Sequence, residues 1–473
     1  MKRTLTVILS LLILLPAFAA QEAEKKSAPV KEHLQNHFKI YGFIRNYFVF
    51  DSRESKAGTG DLFYYLPLDN KWNTSTLSNP AREDLNASPN FRFLALTSRV
   101  AFDVSGYYIN NLHFGAKVEG DFYSGLSKLT STTGLSGNTN VSGTAQARLR
   151  QAYVTLTWKD LEMKGEQTAQ VGLKIGQAWH PMAADMPHVF SLETGAPFGP
   201  FSRTPQVTVD ASLGKNWIVS ASAIWQQQYM SAGPDGASAS YQKYACTPEA
   251  YAGVSYKGKD FLVRGGVDVV SIKPRNIGKN ADGLTVHVKD RKTSVLGFLY
   301  GQYSYKMLQV KAKTTFGEGG EHMNLMSGYA VVDKSDPTNW KYASLINSSS
   351  WVSASYGKKW QGVLFLGYAK NFGLAKPAEE GYVKKSDVYF CSNGFSNINQ
   401  LYRINPQGLY NFGKFTVGVE YQWTAVQYGK YINGELKDTN ETVELLNGIG
   451  LPWQDTLHWV GNHRVNVMVK FTF

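Results

Sequence analysis

Few residues here have both the type and the spacing for catalysis or metal binding. His180, Asp185 and His188 stand five and three positions apart, a spacing that matches no zinc-ligand signature. No metal or cofactor is expected from it. The chain has no His-Glu-x-x-His, no Gly-x-Ser-x-Gly and no phosphate-binding glycine loop, and scattered Ser, His and Asp residues make no triad without geometry. The chain therefore reads as non-enzymatic. Cys246 and Cys391 are the two cysteines, too few for a zinc cluster by themselves, and their separation neither demands nor excludes a disulfide. What the sequence does offer is charge that can recognise anions: Arg45, Arg99, Lys117, Arg148, Arg150, Lys174, Arg264, Lys311, Lys313 and Arg464 recur at strand-like positions.

Composition limits what can position those cations. Of 473 residues, 43% are apolar and 18% charged, with 44 glycines in no repeating period, which excludes a disordered chain, a disulfide-framework miniprotein and a collagen-like chain. Beyond the first twenty residues no apolar run reaches the ~18 residues of a membrane helix. A large soluble β protein and a transmembrane β-barrel are left, since barrel strands give a weak hydropathy signal. The net charge of +12 is spread without a dense basic run, so nucleic acid is not an expected partner.

Residues 1–20 read as a cleaved signal peptide. Lys2 and Arg3 form a basic start, residues 5–15 are mostly Leu, Ile, Val and Thr, and Ala17-Phe18-Ala19 supplies the small-x-small cleavage pattern. Residues 21–37 read as a polar periplasmic lead-in, and residues 38–473 as a barrel. The clearest strand closes the chain: Val465, Val467, Val469, Phe471 and Phe473 alternate with Asn466, Met468, Lys470 and Thr472. Period two puts the first set on one face and the second on the other.

Connections of two kinds separate such strands. Ser105-Gly106, Gly214-Lys215-Asn216, Lys257-Gly258-Lys259, Tyr305-Lys306, Gly357-Lys358-Lys359 and Gly413-Lys414 read as tight hairpin turns. Between them run eight long connections which, with seven short ones, predict sixteen antiparallel strands, fourteen and eighteen being the neighbouring even counts. Short turns on one side and long loops on the other are the organisation of an outer-membrane barrel, and the final strand must then pair with the first to close the ring. Tyr107, Tyr108, Trp158, Trp217, Tyr256, Tyr305, Tyr356 and Trp360 flank the short turns, where rings with polar tips suit the headgroup layer.

Sixteen strands enclose enough space for water. The listed cations would line it together with interleaved acids Asp103, Glu119, Asp121, Asp268 and Glu420, and the cationic excess favours anions. Paired wall residues without a substrate role are the plainer account of any single one. The third long connection, residues 180–204, is poor in charge and carries Pro181, Pro187, Pro197 and Pro200. Folding inward would narrow the bore and make Asp185, Glu193 and Arg203 eyelet residues; a cap over the mouth, or packing against a neighbouring subunit, is the competing arrangement.

Tyr41-Gly42-Phe43-Ile44-Arg45, Leu149-Arg150-Gln151-Ala152-Tyr153-Val154, Ile175-Gly176-Gln177-Ala178-Trp179, Arg203-Thr204-Pro205-Gln206 and the terminal Phe473 resemble the trimeric outer-membrane porins of Gram-negative bacteria. The likeness is most of all to the DcaP-like porins of Bacteroidota. That resemblance implies passive diffusion of small hydrophilic solutes through a homotrimer embedded in outer-membrane lipid and lipopolysaccharide, to which the cationic residues would add a mild preference for anionic ones. It also implies a third loop that constricts each pore, with Arg45, Arg150 and Arg203 as pore arginines. The alternative is a structural or accessory barrel with a plugged lumen, whose long loops hold surface lipoproteins.

Overall fold

A computed structural model describes residues 37–58, 63–73, 83–95, 98–123, 146–162, 168–379, 383–429, 431–432, 442–443 and 457–473. The expected signal peptide and nearly all of the lead-in lie outside the described residues. Sixteen strands form the wall: β1 (Phe38–Asp51), β2 (Asn90–Leu94 and Arg99–Ile109), β3 (Leu112–Tyr123), β4 (Gln146–Glu162), β5 (Thr168–Trp179), β6 (Arg203–Leu213), β7 (Trp217–Ile224) and β8 (Glu249–Lys257), then β9 (Phe261–Ile272), β10 (Lys292–Tyr305), β11 (Leu308–Glu318), β12 (Lys341–Gly357), β13 (Trp360–Leu374), β14 (Ile398–Phe412), β15 (Phe415–Tyr428) and β16 (His458–Thr472). Each pairs antiparallel with the next. β16 closes on β1 in the register Arg45 to Lys470 and Asp51 to Arg464.

Alternation decides which side chains meet which medium. Along β1, Ile44, Phe48 and Phe50 are exposed while Tyr47, Val49 and Asp51 are buried, and on β16 exposed Val465 and Val469 alternate with buried Asn466 and Met468. The outer surface is thus an apolar belt, as lipid requires. Trp217, Tyr305, Tyr356 and Trp360 stand exposed at the short-turn rim, with Trp217 edge-on to Tyr256 at 4.8 Å and Trp360 against Tyr410 at 4.4 Å.

One expected turn is displaced. Ser105-Gly106 is not the β2–β3 hairpin: the ladder slips between Val104 and Tyr107, so Gly106, at φ 84°, lies in a bulge inside β2. The chain reverses instead at Asn110 and Asn111, where Asn110 takes φ 54°. Glycine and asparagine both enter the left-handed region at low cost, which is why both sites read alike in sequence.

The long connections carry structure of their own. Ser55–Gly58 pairs with Phe63–Pro67, Ser240–Ala245 is a short helix, and Gly328–Asp333 pairs with both β12 and Val388–Phe390. Apolar residues from several of them, Phe63, Tyr65, Phe198, Phe201, Met323, Leu325 and Phe395, join one buried cluster at the long-loop end.

The two cysteines are both free; Cys246 is exposed and Cys391 buried, and burial pushes the Cys391 thiol up to about 11. A polar maleimide should therefore label Cys246 in the folded protein and Cys391 only after unfolding, read by mass spectrometry; equal labelling would contradict the packing around Cys391. At the seam, a Cβ on Gly42 would lie 2.2 Å from Arg99 O and 2.9 Å from the Phe473 ring. Gly42→Val should cost about 1–3 kcal/mol and reduce the fraction migrating as folded barrel in unheated gels, whereas Gly408→Ala, with nothing within 4 Å, should not.

Candidate functional site: the inner wall and the β5–β6 connection

The β5–β6 connection packs against the inner face of the wall from β9 round to β1. Its prolines and small residues leave few backbone donors and side chains to accommodate, so it can lie close to the strands. Gly367, on β13, admits the Phe198 ring, whose atoms would lie 2.5 Å from a Cβ there. Polar contacts fix each stretch in turn. Lys313 donates to Met182 O and, at 3.2 Å, to Asp185 O; Lys311 donates to Met186 O at 3.3 Å. Arg264 Nη1 meets Asp185 Oδ2 at 2.7 Å. The His188 amide donates to Ser353 Oγ at 3.0 Å, Gln407 donates to His188 O at 3.1 Å, and the Tyr47 hydroxyl donates to Phe190 O.

Glu193 is the deepest anchor. Its Oε1 takes Arg403 Nη1 at 3.3 Å, Arg464 Nη1 at 3.4 Å and Gln422 Nε2 at 3.1 Å. Arg464 also holds Asp51 at 2.7 Å. Arg403, Arg464 and Lys313 are each at most 3% exposed, enclosed between wall and connection. Arg403 lies on β14, and nothing in the sequence around it announces Glu193 as its partner.

A second set of cations faces inward from β1 to β5; Arg150 is buried among them, while Arg99, Lys117 and Arg148 keep partial exposure. Arg150 bridges Glu119 at 2.7 Å and Asp121 at 2.8 Å, Arg148 makes a fork onto Asp121 at 2.9 and 2.8 Å, and Arg99 lies 3.8 Å from Glu119. Lys117 reaches Asp103 at 3.3 Å and donates to the Tyr41 hydroxyl. Arg45 lies over the Phe43 and Tyr47 rings at 4.7 and 5.0 Å, and Lys174 over Tyr153 at 5.8 Å. Arg203, at the start of β6, is buried over Trp179 at 4.8 Å and donates from Nε to Gln228 at 3.1 Å. Ring stacking and shared carboxylates hold these cations in place along the inner wall.

His180, Asp185 and His188 do not converge. Asp185 goes to Arg264, His188 Nε2 meets Gln309 Oε1 at 2.5 Å, and His180 Nε2 meets Glu249 Oε1 at 2.6 Å. His180, Glu249 and Asp268 instead gather on the barrel's inner side with their ligand atoms within 4.8 Å of one another, and His322 adjoins them. Four separate elements supply these residues, so no spacing could reveal the group.

No protein-family model matches the chain, and no curated protein matches it. Among solved structures, the outer membrane channel DcaP of Acinetobacter baumannii is similar, with a TM-score of 0.58 at 16% identity over 92% of this chain and 97% of that one. OmpT of Vibrio cholerae, folded in vitro, gives 0.49 at 11% over 92% and 97%, and an anion-selective porin from Comamonas acidovorans gives 0.47 at 10% over 92% and 99%. The chain is a β-barrel with the fold of outer-membrane porins.

Replacing Glu193 by Gln would leave Arg403 and Arg464 buried with less negative charge. Breaking such a pair costs about 3–5 kcal/mol, so E193Q should lower the thermal unfolding midpoint; an unchanged midpoint would remove Glu193 as an anchor. Arg264→Glu sets two carboxylates face to face at Asp185 and should loosen that end of the connection, seen as noisier single-channel current.

Proposed function

We propose that the chain is an outer-membrane porin, exported by residues 1–20, that lets small hydrophilic solutes diffuse through a water-filled passage with a mild preference for anions. On this reading the β5–β6 connection constricts the bore, and three copies assemble in the membrane like the trimeric porins it resembles. One observation carries the selectivity: Asp185 and Glu193, the carboxylates of the connection named as eyelet residues, are both bound to wall cations. They are therefore not free to oppose the cations of β1 to β5. Arg45, Arg99, Lys117, Arg148, Arg150, Lys174 and Lys470 then face the passage against only Asp103, Glu119 and Asp121 among the interleaved acids, a field that concentrates anions.

A second reading has its own support. The buried apolar cluster at the long-loop end, with Phe198, Met323, Leu325 and Phe395 no more than 2% exposed, suits a plugged barrel whose loops hold a surface lipoprotein. Planar-bilayer recordings in a salt gradient separate the two. The porin reading expects steady conductance with a reversal potential of anionic sign, and Arg99→Glu, at a residue 27% exposed by side chain, shifts that potential toward cations. Absence of conductance from folded protein, or cation preference in the wild type, defeats it.

A further inference from the structure

The buried group behind the β5–β6 connection brings two carboxylates and two imidazoles together out of water. Glu249 opens β8, Asp268 faces inward from β9, and His322 belongs to the short turn Glu321–Met323 after β11; none of these side chains, nor that of His180, is more than 2% exposed. Two carboxylates removed from water need two positive charges or full hydrogen bonding. The Met182 amide donates to His180 Nδ1 at 3.1 Å, and His180 Nε2 points at Glu249 Oε1 2.6 Å away. The neighbouring Lys292 and Glu321 neutralise each other at 3.0 Å. Asp268 Oδ1 and both ring nitrogens of His322 make no well-directed hydrogen bond; Asp268 Oδ1 lies 3.6 Å from His180 Nε2 and His322 Nε2 3.2 Å from Glu249 Oε1.

We propose that Glu249, Asp268 and His322 bind one divalent transition-metal ion, with His180 holding the Glu249 carboxylate in position from behind. The ion would place positive charge against both carboxylates at once. His322 Nε2 lies 3.2 Å from Glu249 Oε1 and 3.8 Å from Asp268 Oδ2, close to the ~3.3–3.6 Å between donors about 2.0–2.2 Å from a tetrahedral zinc, and the ligand atoms of Glu249 and Asp268 lie within 4.8 Å of each other. One imidazole and two carboxylates suit zinc or its first-row neighbours more than calcium. A histidine that donates its ring N–H to a ligating carboxylate orients that ligand. The ion would join β8, β9 and the connection after β11, and through His180 the base of the β5–β6 connection. This assignment does not depend on what the channel conducts.

The test uses untagged protein purified from outer membranes, stripped with a chelator and then dialysed against Zn²⁺. Expected are one zinc per chain, an X-ray absorption shell containing imidazole nitrogen and oxygen, and a thermal midpoint that falls on stripping and returns on reloading. His322→Gln should lose the bound zinc, and His180→Gln should weaken binding about 10–100-fold while the barrel still migrates as folded. Folded wild-type protein that takes up no zinc would mean that protons alone neutralise the carboxylates, and overturns the proposal. So would equal zinc in folded His322→Gln. Should that variant not assemble, the wild-type spectrum decides, because a bound-zinc shell without imidazole places the ion elsewhere.

Discussion

The absence of water at the middle of a bilayer governs this structure before any particular residue does. Every backbone donor and acceptor at that depth must be paired within the protein, and the ring meets the requirement through antiparallel ladders that join each strand to the next and β16 back to β1. Given that closure, period-two alternation leaves each strand one face for lipid and one for the interior. The apolar belt and the polar inner wall are two results of the same constraint.

Inside the ring the problem reverses. The polar inner faces can be hydrated or covered, and this protein does both. From β9 to β1 the wall is covered by a proline-rich connection whose carbonyls and carboxylates take up Lys313, Arg264, Arg403 and Arg464. From β1 to β5 most of the cations keep partial exposure, Arg150 being buried, and they are steadied by rings and by shared carboxylates. Buried charge pairs are weak contributors to net stability; here they fix where the connection lies, and its position determines which charges remain to act on a solute.

The sequence made the strand number readable because seven short links and eight long ones sort themselves by length, and because alternation is strong at the chain's end. It misled at Ser105-Gly106, since a glycine bulge and a hairpin share the same turn chemistry and only the ladder register separates them. Inward-facing cations such as Arg150 and Arg264 follow from parity alone. Their partners do not: Glu193 finds Arg403 and Arg464 across 210 and 271 positions of chain, and Glu249 meets His180 across 69. A histidine or carboxylate at a strand end with inward parity was the available signal, but parity says nothing of which strand ends a loop will visit.

The seam between β1 and β16 bears on how the molecule is made. Ser52 and Asn462 touch across 410 positions, and the Phe473 amide donates to Gly42 O at 3.1 Å. Until both termini of the wall have been synthesised, two strand edges stay open, each able to capture the other or a foreign strand. Contacts so distant in sequence form slowly. The order of assembly is therefore constrained at its end: whichever hairpins gather first, the barrel becomes a sealed object only when its oldest strand meets its youngest.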